Sequence, residues 1–119
     1  MAPEVLRGDK PSQASDIFSL AMLLNETLMG QPPYAHLDND PAVGLAVIQG
    51  ERPAALNPSS PGALLLLQLI QSMWADDPRA RPEATEVFAK AGASVWSICI
   101  IQPTYSQLAL FVAHRRGCR

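Results

Sequence analysis

The sequence predicts an all-α fold, and three observations lead to that prediction. Apolar residues recur at helical spacing between Ser15 and Gly30. No alternation of apolar and polar residues extends over any length before position 92, as a half-buried strand would require. Prolines fall between the apolar stretches, where they end helices and fix turns. The chain of 119 residues is long enough for one domain with a core of its own.

The first long helix is expected at the centre of the fold. Apolar side chains lie nearly all round the stretch that follows Ser15, and such a helix is usually buried. Ser15 is expected as its N-cap and Asp16 suits the positive end of the helix dipole. Gly30 is expected to end it, and Pro32 and Pro33 prevent its continuation.

A short second helix is predicted by a cap-and-proline signal. Asp40 has the character of an N-cap, and Pro41 follows it at the first helical position. Val43 and Val47 share one helical face, and Gly50 is expected to end the helix.

Two further helices are expected in the second half of the chain. Ser60 and Pro61 repeat the cap-and-proline signal before an apolar helix over residues 64–74. A polar turn separates that helix from the last one, which is expected to begin at Pro82 and to stop at Gly92.

The composition changes after Gly92. Residues 93–113 carry no charge, residues 95–101 favour a strand, and residues 108–113 fit either a helix or a strand. The uncharged stretch has the length of a membrane span. Gln102 and Pro103 interrupt the run of about twenty apolar residues that a span needs, so we do not expect one.

Charge and cysteine usage narrow the function classes. The net charge of −2 offers no basic surface for nucleic acid. Cys99 and Cys118 give neither a disulfide framework nor a zinc spacing, so both are expected as free thiols in a reducing compartment. No basic segment followed by an apolar run marks a signal peptide, and the expected location is therefore cytoplasmic.

The motifs, in their order along the chain, resemble the C-terminal lobe of a eukaryotic-type protein kinase. Residues 2–4 resemble the Ala-Pro-Glu motif that closes the activation segment. Residues 15–21 resemble the start of the family's buried central helix, Phe18 standing where Trp is usual. Pro33-Tyr34 and Glu51-Arg52-Pro53 match later family segments. The family-motif residues of this chain are Ala2, Pro3, Glu4, Asp16, Trp74, Asp77, Pro78, Arg81 and Pro82.

The resemblance implies an architecture and several roles. Residues 1–92 would form part of a kinase C-lobe helical bundle, and residues 93–119 a divergent tail, disordered as one expectation. Residues 74–82 match the family's closing Trp-x-x-Asp-Pro-x-x-Arg-Pro signature, and this signature and Arg52-Pro53 lean toward the tyrosine-kinase-like or tyrosine kinase groups. Glu4 and Arg81 would form a buried ion pair, and Trp74 would lie in the core. Asp16 would either hydrogen-bond the catalytic loop or serve as a plain helix cap.

Catalysis is not expected of this chain alone. Phosphoryl transfer needs a Gly-rich loop, a phosphate-binding lysine, a catalytic Asp and Asn, and a metal-binding Asp-Phe-Gly. None of these occurs in the sequence, so no catalytic, cofactor-binding or metal-binding residue is assigned. ATP and Mg²⁺ are expected only for a full-length parent.

Two hypotheses about function follow. The first is a fragment, a truncated gene model or a splice product of a kinase whose parent transfers the γ-phosphate of ATP to a protein hydroxyl. The second is a non-catalytic module that binds protein partners, with the helix at residues 41–49 as its docking surface, because that helix often docks partners in the family.

Overall fold

The structure is a computed structural model that describes residues 1–54 and 61–101, with the backbone alone for residues 93–101. It contains five α-helices and one 3₁₀ turn and, in these residues, no strand, which confirms the all-α prediction. The predictions for Ser60 and residues 108–113 lie outside the described residues. The elements are α1 (Pro3–Leu6), α2 (Gln13–Met29), α3 (Asp40–Ile48), α4 (Pro61–Met73), the 3₁₀ turn (Pro78–Ala80) and α5 (Ala84–Ile101).

Helix α2 begins earlier than the sequence predicted. Ser12, not Ser15, is its N-cap: the Ser12 hydroxyl accepts from the Ser15 N–H at 3.3 Å, and the Ser15 hydroxyl accepts from the Ser12 N–H at 2.9 Å. These reciprocal bonds form a capping box in which serine takes both positions. Asp16 lies inside the first turn and does not cap the helix. Gly30 ends it as predicted, at φ +67°.

Only one face of α2 is buried, which corrects the expectation of a helix enclosed on all sides. Ile17, Phe18, Ala21 and Asn25 are buried, and α2 packs against α4. On other sides the described elements leave leucines exposed, Leu23 at 59%. The sequence showed apolar residues all round, but burial also requires a neighbouring element on each side.

Helices α3 and α4 also begin before the predicted residues. Asn39 caps α3 by accepting the N–H of Ala42 at 2.9 Å, so Asp40 falls in the first turn instead. Several polar residues in succession can cap a helix, and the extended backbone at Asn39 selects it. Helix α4 starts at Pro61, and Gly50 follows α3 at φ +86°.

Helix α5 corrects three predictions at once. It begins at Ala84 rather than Pro82, passes through Gly92, and covers residues 95–101, which the sequence assigned to a strand. Gly92 has no left-handed φ, so nothing in its backbone ends the helix. A helix satisfies its own backbone hydrogen bonds, whereas a strand needs a paired neighbour that the described residues do not supply.

The core lies where α4 packs against α5 and α2. Phe18, Ile70 and Met73 are fully enclosed there, and Trp74 is buried at 6% exposure, as expected of a core residue. Helix α1 packs against α3, and Ala46 and Val47 of α3 belong to the same hydrophobic cluster. Among the described residues no helix is both long enough and apolar enough to cross a membrane.

Candidate functional site

The short turn before α5 places Arg81 inside the molecule. Asp77 accepts the N–H of Arg79 at 2.9 Å, and Pro78 fixes the backbone at the first position of the turn. The chain then extends at Arg81, whose side chain is 0% exposed. A buried guanidinium stabilises a fold only when its donors are satisfied.

All five N–H donors of Arg81 have acceptors. Two parallel bonds join it to the carboxylate of Glu4, from Nη1 to Oε1 at 2.7 Å and from Nη2 to Oε2 at 2.8 Å. Nε donates to the carbonyl of Ala75 and Nη1 to that of Ala14, both at 2.9 Å. Nη2 reaches the carbonyl of Asp76 at 3.4 Å. The predicted contact between Glu4 and Arg81 is therefore present.

These bonds join three distant segments of the chain. Glu4 belongs to α1, Ala14 to the first turn of α2, and residues 75–76 to the loop after α4. The hydrogen bonds from Arg81 lower the pKa of Glu4 below its ordinary value near 4.5, against the opposing effect of burial. Glu4 is thus held as the carboxylate that the pair requires.

A second arginine, Arg52, also donates hydrogen bonds to the loop that follows α4. Its Nε donates to the carbonyl of Trp74 at 2.9 Å, and Nη2 to the Asp76 carboxylate at 2.8 Å. Nη1 donates to the carbonyls of Val47 and Glu51, at 3.3 Å and 2.8 Å. Arg52 therefore ties the end of α3 to the loop that Arg81 also holds.

Both guanidiniums lie over the ring of Phe18. The central carbon of Arg52 is 5.2 Å from the ring centroid and that of Arg81 is 5.0 Å from it. Both distances are within the range of cation–π attraction, about 6 Å. We call Glu4, Phe18, Arg52, Asp76 and Arg81 the arginine centre.

The structure brings only some of the sequence-predicted residues to this centre. Glu4 and Arg81 form it, with Ala2 and Pro3 buried beside Glu4 and Pro82 half-buried after Arg81. Trp74 contributes its carbonyl, while Asp77 and Pro78 shape the turn. Asp16 is exposed and does not join these bonds; it lines, as Arg81 also does, a cleft of about 620 Å³ between the starts of α2 and α5.

Sequence reasoning missed the roles of Arg52 and Phe18. Arg52 was recognised only as part of the Glu51-Arg52-Pro53 motif, and Phe18 only as an apolar replacement for tryptophan. The available signal was a lone arginine between a turn and a proline, a position where a side chain can cap the carbonyls at a helix end. Sequence spacing does not reveal that two arginines share one ring.

The centre is suited to holding the fold rather than to chemistry. A guanidinium does not release its proton in proteins, and every donor of Arg81 is already used. Arg81 has no donor left for a phosphate, and among the described residues no group of three His, Cys, Asp or Glu side chains is placed to hold a metal ion. No catalytic step is derived from these residues.

Comparison with known proteins gives a family match and several relatives. The protein kinase domain family matches residues 1–91. A rice protein named protein kinase and PP2C-like domain-containing protein is 36% identical over 101 residues, covering 73% of this chain and 15% of the relative. The serine/threonine-protein kinase STY17 of Arabidopsis thaliana is 34% identical over 87 residues, covering 73% and 15%.

A human relative shows a similar identity and coverage. Mitogen-activated protein kinase kinase kinase 11 is 35% identical over 94 residues, which is 78% of this chain and 11% of the relative. The chain thus spans between 11% and 15% of the lengths of these three relatives. The family match covers most of the chain and includes the arginine centre, and the chain belongs to the protein kinase domain family.

Proposed function

We propose that this chain contributes the helical part of the C-terminal lobe of a protein kinase in the tyrosine-kinase-like or tyrosine kinase group. The complete protein transfers the γ-phosphate of ATP, with Mg²⁺, to a hydroxyl of a protein substrate. These residues take no part in the chemical step; they hold α1 against the other helices of the lobe. The two cysteines without a disulfide pattern support a cytoplasmic location.

The observation that carries the proposal is the doubly hydrogen-bonded pair between Glu4 and Arg81. It joins residues 77 positions apart, and both side chains are buried. A bidentate pair of this kind fixes orientation as well as distance. The Ala-Pro-Glu segment is thereby anchored to the Arg-Pro segment, as the kinase resemblance requires of a C-lobe.

We also propose that the chain alone transfers no phosphate. Phosphoryl transfer depends on positioning and on charge stabilisation by groups that this sequence does not contain. The test is incubation of the purified chain with labelled ATP, Mg²⁺ and a generic protein substrate. No label should appear in the substrate; ATP-dependent labelling that survives removal of contaminating kinases would overturn the proposal.

A chimera tests the proposal that this chain forms part of the C-terminal lobe of an active kinase. Residues 1–91 of this chain replace the matched segment of the rice relative, and transfer of phosphate to a protein substrate is measured. The chimera should be active, whereas the same chimera carrying Arg81→Ala should lose activity and stability together. A chimera that folds and binds ATP but is inactive, while the parent is active, would contradict a C-lobe role for this segment.

One observation favours a second function, that of a non-catalytic module for protein partners. Leu45 on α3 is 56% exposed, and α3 is fixed to the rest of the fold by arginines at its end. An exposed apolar side chain on a helix can serve as an anchor in the groove of a partner. Leu45→Glu should then release a co-purifying partner, while Leu64→Glu on α4 should not. Equal retention by both variants would reject docking at α3.

A further inference from the structure

We draw no further inference here: the strongest candidate, the surface patch of exposed leucines on α2 formed by Leu20, Leu23 and Leu28, is an apolar face for which nothing in the described part of the structure shows what covers it.

Discussion

At the scale of single residues, Glu4 and Arg81 affect stability mainly because removal of either one leaves the charge of the other unpaired. The pair itself adds little free energy over an apolar replacement, because both charges are removed from water. Removing one partner leaves the other charge buried, and the Arg81 side chain is 0% exposed. The sequence predicted this pair only through the family resemblance, since nothing in the spacing of two residues 77 positions apart indicates contact.

The ionisation of Glu4 makes stability depend on pH. The pKa of Glu4 is lower in the folded chain than its ordinary value near 4.5, so the pair contributes fully above that pH and is lost as the pH falls through the lower value. Glu4→Gln should therefore be less stable than the unaltered chain at pH 7, and the difference should shrink below pH 4.5. Urea unfolding across pH 7 to pH 3 measures it, with Glu26→Gln, at an exposed residue of α2, as control. A difference that stays constant across this range would show that Glu4 is not held by Arg81.

Arg52 provides a second test at this scale. Lysine keeps the charge but cannot reproduce the planar fork that donates to Trp74, Val47 and Glu51. Arg52→Lys should lower the free energy of unfolding by about 2 kcal/mol. Arg79→Lys, on an exposed residue of the 3₁₀ turn, should change it by less than about 0.5 kcal/mol. Equal effects of the two substitutions would show that the hydrogen bonds of Arg52 do not stabilise the fold.

At the scale of elements, the sequence predicted that helices exist but placed their ends less well. Ser12 and Ser15 can each cap α2, and Asn39 and Asp40 can each cap α3. Which one does so depends on the backbone conformation before the helix, and that conformation is set by packing. Gly30 was predicted correctly because its left-handed φ genuinely favours glycine.

Gly92 tests the revised end of α5. It lies inside the helix without a positive φ, and a Cβ there would have no atom within 4 Å. Gly92→Ala should therefore raise the free energy of unfolding by about 0.5–1 kcal/mol. Gly30→Ala is the matched control and should lower it, because φ is +67° there. A loss of stability in Gly92→Ala, measured by thermal unfolding, would indicate that the helix ends at Gly92 after all.

At the scale of the whole molecule, α2 shows what a sequence pattern leaves open. Leu20, Leu23 and Leu28 are 37%, 59% and 40% exposed although the pattern predicted burial. Periodicity identifies which residues can be buried, but the neighbouring elements decide which of them are.

The arginine centre joins α1, α2, the end of α3 and the loop before α5, so its pairing is the central claim for the whole fold. A double-mutant cycle tests that claim most directly, with the free energies of unfolding of Glu4→Ala, Arg81→Ala and the double variant measured in urea. Arg81→Ala should cost about 3–5 kcal/mol and Arg79→Ala less than about 0.5 kcal/mol. The loss in the double variant should be clearly smaller than the sum of the two single losses. Additive losses would mean that Glu4 and Arg81 do not meet in solution.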